Sequence, residues 1–270
     1  TDILREGFSS QSDFANNVGG SNLGTTTQES SQDINSEAIR SFHSDIVVNT
    51  DNSITVSETI LYDSVDVEKH GIFRDVRLTS SEGKKMEVIV LSVVDEKGQP
   101  YMYTESSDND LVRIKIGDPE VTFKGQKTYI IIYTASKAVA HLDTVDEIYW
   151  NVTGNEWPVP ILQVDATVRL PPGATLIQSA CYYGPGGSTA KCQEAELAGN
   201  EYRFTSPASL NTGNGLTVAV GFNKGIVAPY GISDTIIDYV RKYLAIFLGI
   251  LFPLLTLIFS LRYWYRHGRD

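Results

Sequence analysis

The chain has 270 residues and a net charge of −11 at pH 7. The acidity lies in the first 240 residues, because residues 241–270 carry five basic residues and one acidic residue. Such an acidic domain lacks the basic surface that phosphate binding needs, which argues against a nucleic-acid partner.

The chain divides by composition into a leader, a folded domain and a membrane segment. The N-terminal residues are rich in Ser, Thr, Asn, Gln and Gly and show no hydrophobic period, which predicts a disordered or loosely attached segment. The predicted parts are a polar leader (1–39), a β domain (40–227), a juxtamembrane segment (228–242), a transmembrane helix (243–261) and the start of a cytoplasmic tail (262–270).

Eleven short segments between residues 45 and 222 have the composition of β-strands and are separated by Gly, Pro, Asn and Asp. No long helical period occurs before residue 233. The pattern predicts an all-β fold, an antiparallel β-sandwich that is either Ig-like or two small sandwiches in series. The segments are DIVVN, SITVSETILY, MEVIVLSVVD, PYMYTE, LVRIKIG, KTYIIIYTAS, EIYWNV, ILQVDATVRL, TLIQSACYY, EYRFTS and GLTVAVGF.

The second predicted strand, SITVSETILY, has an irregular hydrophobic pattern. Ile54, Val56, Thr59 and Leu61 fall on one face of the strand only if a β-bulge follows Ser57. The sequence therefore predicts a bulge at that point.

The segment EKHGIFRDVRL (68–78) places Arg74 beside acidic residues in a domain short of positive charge. Two interpretations are open. Arg74 pairs with an acidic neighbour and fixes a loop, or it binds an anionic ligand.

The segment DEIYWNVTGNEWPVPI (146–161) contains two of the three tryptophans and two prolines. The prolines remove two ladder donors, so the segment is predicted to be an edge or a crossing between sheets. In one interpretation Trp150 and Trp157 fill the core at a sheet corner, while Glu156 or Asn155 bonds to loop backbone. In the other, these residues form an aromatic platform that binds a sugar or a peptide.

Cys181 and Cys192 flank a Gly-Pro-Gly-Gly turn in CYYGPGGSTAKC. In an oxidising compartment this spacing favours a disulfide, with two free thiols as the alternative. Closing so short a loop contributes at most about 3 kcal/mol. Two cysteines without a nearby histidine supply too few ligands for a metal site.

Motifs for catalysis are missing from the sequence. The four histidines have no metal-ligand spacing, and neither a nucleotide-binding loop nor a nucleophile elbow occurs. We therefore expect no cofactor, no metal and no catalytic residue. One alternative is a carboxylate pair of Glu156 with Asp146 or Glu147, which requires the segment to fold into a hairpin. Asn151-Val-Thr is a weak match to a glycosylation sequon.

Tyr243–Leu261 contains nineteen residues without a charge and spans roughly 28 Å as a helix, which matches the hydrocarbon thickness of a bilayer. Pro253 is predicted to kink this helix, and Ser233 or Asp234 to cap its start. The basic residues that follow the span favour a cytoplasmic C-terminus and an external N-terminal domain, exported by a signal peptide already removed. The lipid bilayer is thus a predicted partner, together with other envelope or membrane proteins.

Four motifs occur in a characteristic order, namely GIFRDV (71–76), DEIYWNVTGNEWPVPI, VRLPPG (168–173) and GLTVAVGFNKGIV (215–227). They resemble the bacterial membrane-protein family called domain of unknown function 2207. The resemblance implies an exported N-terminal β domain followed by transmembrane helices and a cytoplasmic tail. It also implies that WYRHGRD is the point where a longer protein continues. It implies no catalytic residue.

The sequence leaves three hypotheses about function. The first is a membrane-anchored extracytoplasmic module of the bacterial cell envelope that binds or interacts through exposed loops. The second is a structural or assembly subunit of a membrane complex. The third is a carboxylate-dependent hydrolase of the cell envelope.

Overall fold

A computed structural model describes residues 36–79, 85–108, 110–229, 236, 239–240, 243–244 and 247–268. The all-β prediction is confirmed. The strands are β1 (Ala38–Val48), β2 (Ser53–Asp63), β3 (Gly71–Arg77), β4 (Val88–Val94), β5 (Tyr103–Ser107), β6 (Leu111–Gly117), β7 (Gln126–Ser136), β8 (Val139–His141), β9 (Asp146–Asn151), β10 (Val164–Arg169), β11 (Leu176–Gly184), β12 (Gln193–Leu197), β13 (Glu201–Thr205) and β14 (Gly215–Phe222).

The strands form three sheets in the described part of the chain. The largest has the order β12-β13-β10-β1-β2-β7-β4, the second has the order β11-β14-β9-β8, and the third has the order β3-β6-β5. Their buried hydrophobic side chains make one continuous cluster that draws on all three sheets. The arrangement is sandwich-like, with one shared core across the described residues and not two cores in series.

One strand pair departs from the antiparallel pattern. β1 and β10 are parallel, with Phe42 opposite Val164 and Val47 opposite Arg169. A parallel pair needs a long connection, and here the intervening chain forms β2 to β9. The largest sheet is therefore mixed, which the local sequence patterns did not indicate.

The predicted bulge after Ser57 is wrong. β2 pairs continuously with both β1 and β7 at this point, and its buried side chains alternate strictly. Glu58 therefore points inward and is fully buried, whereas the predicted bulge would place Thr59 on that face. A buried charge interrupted the hydrophobic signal without interrupting the strand.

The sequence patterns missed three strands, because each lacks the alternating hydrophobic pattern that marks a half-buried strand. β3 contains Arg74 at an inward position, β8 is three residues long, and β12 is almost wholly exposed. Arg74 thus lies in a strand and not in a loop. The first strand also begins at Ala38, two residues before the predicted domain, because Ala38 and Ile39 are both buried.

The C-terminal segment is helical where it is described. A π-helical turn, Phe247–Leu251, leads into α1 (Phe252–His267). Pro253 has no N–H to give to the carbonyl of Gly249, and the wider π turn lies at this position. Leu248–His267 is long and apolar enough to cross a membrane and is not buried against the β domain. The predicted caps at Ser233 and Asp234 lie outside the described residues.

The β1–β10 pair carries an ionic cluster on its outer face. His43 lies opposite Asp165 in the parallel register, and its Nδ1 is 2.8 Å from Asp165 Oδ2. Its Nε2 is 3.2 Å from Asp45 Oδ1, and Arg203 Nε lies 3.8 Å from Asp165 Oδ2. The hydrogen bond to Asp165 raises the pKa of His43 above 6.5, although partial burial opposes the shift.

We predict that this cluster makes stability depend on pH. The pKa of His43 is higher in the folded protein, so its contribution is complete below about pH 6.5 and is lost as pH rises through the folded value. Urea unfolding at about pH 6 and about pH 8.5 should show a smaller difference in His43→Gln than in the wild type. His70→Gln, at an exposed histidine just before β3, should keep the wild-type difference. Equal differences in all three proteins would contradict the prediction.

Candidate functional site

Arg74 lies at the centre of a buried hydrogen-bond network, and only 1% of it is exposed. Its Nε and Nη2 donate to the two carboxylate oxygens of Glu58, at 2.7 and 2.6 Å. Nη1 donates to the carbonyls of Asp75 and Thr153, and Nη2 also donates to the carbonyl of Val152. All five N–H groups of the guanidinium are therefore used.

Glu58 is held from a second side by Tyr133, whose hydroxyl donates to Oε1 at 2.6 Å. Burial and the adjacent carboxylate raise the pKa of Tyr133 well above 10, so the phenol stays protonated and remains a donor. Burial alone would lower the pKa of Arg74, but Glu58 outweighs it and the pKa is raised. The Phe42 ring lies 5.6 Å from the guanidinium.

The arginine therefore links three sheets. Glu58 lies in β2 of the largest sheet, Arg74 lies in β3, and the two loop carbonyls directly follow β9. Of the two interpretations of Arg74, the geometry supports the first, in which Arg74 forms a structural ion pair, here with Glu58. No donor remains for an anionic ligand.

The loop that follows β9 is fixed by its own side chains. Asn151 Oδ1 accepts from the N–H of Gly154, and Asn151 Nδ2 donates to Asn155 Oδ1 at 2.7 Å. Asn155 Nδ2 in turn donates to the carbonyl of Gly213. Gly154 has φ +72°, and a Cβ there would lie 2.9 Å from Arg74 Nη1. This position therefore needs glycine for both conformation and space.

Both tryptophans of this segment are buried, with 4% of Trp150 and 6% of Trp157 exposed. Trp157 donates its Nε1 hydrogen to the carbonyl of Thr153 and packs edge-on against Phe42. Neither indole offers a solvent-exposed face. Proline-containing residues 157–161 lead from β9 to the largest sheet, where Ile161 bridges to β1. The segment is thus a crossing between sheets, as one of the two interpretations expected.

Glu156 is tied to its surroundings by two contacts. Its Oε2 accepts from the N–H of Asn155 at 2.7 Å, and its Oε1 lies 3.1 Å from Arg77 Nη2. The segment does not fold back on β9, whose partners in the described residues are β14 and β8. Glu147 instead accepts a hydrogen bond from Gln178, on β11. The carboxylate pair with Glu156 is not formed.

The side chains of Asp146 and of Thr153 in the sequon also form internal hydrogen bonds. Asp146 is fully buried, and its Oδ1 lies 2.7 Å from Nδ1 of His141. The other nitrogen of His141 lies 2.9 Å from Asn52 Nδ2, so both ring nitrogens have partners. The hydroxyl of Thr153 is buried and accepts from the N–H of Leu216. The sequon match therefore marks a packed turn and not an accessible glycosylation site. Among the described residues, no three His, Cys, Asp or Glu side chains cluster as metal ligands.

A cleft of about 410 Å³ opens beside this crossing, at the end of the β11-β14-β9 sheet. Its volume is in the usual range for small-molecule sites. Trp150 and Asn155, two of the residues predicted for binding, contribute to its wall. We name it the tyrosine cleft, after three lining residues that the sequence did not single out, Tyr149, Tyr182 and Tyr183. A more open depression of about 520 Å³, between β4 and the β5–β6 pair, has no aromatic lining.

The predicted disulfide between Cys181 and Cys192 is present, with the two Cα atoms 5.4 Å apart. It closes a strap, residues 184–192, which folds back along β11. The N–H of Tyr183 donates to Ala190, and that of Cys192 donates to Cys181. The glycine-rich turn of the strap forms one wall of the tyrosine cleft. The disulfide therefore holds a wall of the cleft in place.

Residues 38–222 match the family model described as "Predicted membrane protein (DUF2207) N-terminal domain", which covers more than half of the chain. The chain belongs to this family. No curated protein matches it. The DUF2207 match begins at the first residue of β1 and ends at the last residue of β14, so it spans the whole described β fold.

Among solved structures, leukotriene A4 hydrolase of Saccharomyces cerevisiae is 11% identical, with a TM-score of 0.44 over 73% of this chain and 30% of that one. An M1 zinc metallopeptidase of Deinococcus radiodurans is 11% identical, with a TM-score of 0.42 over 68% of this chain and 42% of that one. This chain thus spans less than half of either enzyme. Similarity at this level does not bear on the activity of the DUF2207 domain.

We predict that Arg74→Met lowers the free energy of unfolding by about 3–5 kcal/mol, because it leaves Glu58 charged and buried. Arg169→Met is the matched control, since Arg169 pairs with Glu201 at the surface, where such a change costs about 0–1 kcal/mol. Urea unfolding of the full chain, followed by tryptophan fluorescence, measures both. Adding Glu58→Gln to Arg74→Met should restore part of the loss. Similar losses in the two single variants would contradict the role of the buried pair.

Proposed function

We propose that this protein is a membrane-anchored extracytoplasmic binding module of the bacterial cell envelope, and that its ligand occupies the tyrosine cleft. The observation that carries the proposal is the cleft itself. It is a concave site with aromatic and polar lining, and it is built on a rigid scaffold of crossed sheets and a disulfide.

Three features support the proposed location. The family is one of predicted membrane proteins, and Leu248–His267 is long and apolar enough to span a bilayer. Arg262 and Arg266 lie toward the end of that helix, which by the positive-inside rule favours a cytoplasmic C-terminus. The Cys181–Cys192 disulfide suits an oxidising compartment on the other side of the membrane.

A second candidate function is a structural or assembly subunit, supported by the edge strand β4. β4 ends the largest sheet, and Ile89 and Leu91 on it are exposed. Ile130 and Ile132 of the neighbouring β7 lie on the same outer face. Exposed apolar side chains on the terminal strand of a sheet are suited to contact with another protein.

We predict that removing the cleft's tyrosines abolishes ligand binding without unfolding the protein. The full chain in lipid nanodiscs should be retained on purified envelope material from the bacterium that encodes it. Tyr149→Ala/Tyr182→Ala should reduce the retention at least about tenfold, the loss expected when about 1.4 kcal/mol of binding energy is removed. Tyr103→Ala, at an exposed tyrosine of β5, should bind like the wild type.

The alternative makes a different prediction for the same assay. If β4 is the functional surface, Ile89→Asp/Leu91→Asp should reduce the retention, and the double tyrosine variant should not. Unchanged retention of the tyrosine variant, with its urea unfolding midpoint intact, would exclude the cleft as the binding site.

A further inference from the structure

The hydroxyls of the three cleft tyrosines differ from that of Tyr133 in donating no internal hydrogen bond in the described part of the chain, although the ring of Tyr183 packs partly against the core. Within the described residues, the hydroxyls of Tyr149, Tyr182 and Tyr183 donate to no protein group, and their rings contact no other ring or cation. By contrast, the core Tyr133 donates to Glu58, and the core Tyr129 packs against the ring of Tyr101. Tyr149 is 46% exposed although it lies in the middle of a strand. The ring of Tyr149 and the three hydroxyls are therefore available to a ligand.

The strand register places Tyr149 and Tyr182 on either side of a surface formed by small side chains of β14. Tyr182 lies opposite Thr217, which lies opposite Asn151, so the three share one face across β11, β14 and β9. Tyr149 is two residues from Asn151 on the same face, opposite Ala219. Since β14 lies between them, the two rings are anchored on strands roughly 10 Å apart. A flat ring fits above the small side chains between them.

The polar groups of the cleft are mostly neutral. Asn151 and Asn155 bond to each other, and each amide can still form one more hydrogen bond as donor and one as acceptor. Thr217 adds a hydroxyl, whereas the hydroxyl of Ser188 already donates to the carbonyl of Tyr183. Arg77 is the one charged side chain in the described lining, and Glu156 beside it already offsets its charge. With a net charge of −11 on the chain, a polyanion would be repelled. The lining therefore favours an uncharged ligand rich in hydroxyl groups.

An extended peptide is disfavoured as a ligand because the neighbouring strand edges have few free backbone N–H and C=O groups with which it could pair. The outer edge of β11 at the cleft is already paired with the strap, through the bridge between Tyr182 and Lys191 and the bond from Tyr183 to Ala190. On the other side, β8 pairs with β9 as far as Ile148, so only three residues of β9 extend beyond it. Strand addition needs a longer free edge.

We propose that the tyrosine cleft binds a neutral oligosaccharide. The inference rests on the proposed binding function and names its ligand class. The apolar C–H face of a pyranose ring would lie against Tyr149 or Tyr182, and its equatorial hydroxyls would exchange hydrogen bonds with Asn151 and Asn155. Tyrosine suits this role because its ring is apolar while its hydroxyl stays hydrated.

The test uses defined probes and the full chain in lipid nanodiscs. Isothermal titration would compare two neutral tetrasaccharides, of β1,4-linked N-acetylglucosamine and of β1,4-linked glucose, with a polygalacturonate fragment and a tetra-alanine peptide. At least one neutral tetrasaccharide should bind, and the polyanion and the peptide should not. Tyr149→Ala and Tyr182→Ala should each weaken binding at least about tenfold. Tyr149→Phe should lose less because it keeps the ring, and Tyr103→Ala should bind like the wild type.

The outcomes separate this inference from the proposed function. Binding of the peptide or the polyanion in preference to both neutral sugars would overturn the ligand class. The ligand class would also be overturned if both neutral tetrasaccharides failed to bind. Loss of envelope retention in the tyrosine variants would still support the cleft in both cases. Sugar binding that survives both alanine substitutions would overturn the assignment to this cleft.

Discussion

The buried ion pair between Arg74 and Glu58 is the interaction on which the arrangement of the three sheets depends. A charge buried among hydrophobic strands is stable only when its partner and all its hydrogen bonds are supplied. Here one guanidinium reaches β2, its own strand and the chain that leaves β9. Geometry this specific allows one relative placement of the sheets, whereas apolar packing tolerates several.

The ion pair also helps to position one wall of the tyrosine cleft. The carbonyls that receive Arg74 belong to the same turn whose amides, Asn151 and Asn155, reach the cleft wall. On the opposite side the disulfide fixes the strap. A ligand would thus meet a site ordered before binding, which limits the entropy lost on association.

The sequence predicted the fold class, the disulfide, the apolar helix and the sheet crossing, because each leaves a local signal. Hydrophobic alternation, cysteine spacing and proline positions can each be recognised within a few residues of sequence. Glu58 and Arg74 hid the alternation of their strands, since each needs the other, sixteen residues away, to be stable when buried. Tyr149, Tyr182 and Tyr183 went unnoticed because exposed tyrosines become a site only when strands distant in sequence align. The conspicuous tryptophans proved to be core residues.

The parallel pairing of β1 with β10 has a consequence for the order of folding. Phe42 meets Val164 across 122 residues of chain, whereas β1 meets β2 through a short turn. During synthesis, β1, β2, β7 and β4 can assemble while one side of β1 is still an open edge. β10 and β13 complete the sheet only after the crossing has formed. Until β10 has been synthesised, that edge of β1 has no partner strand, and an unpaired edge of this kind favours pairing with other chains.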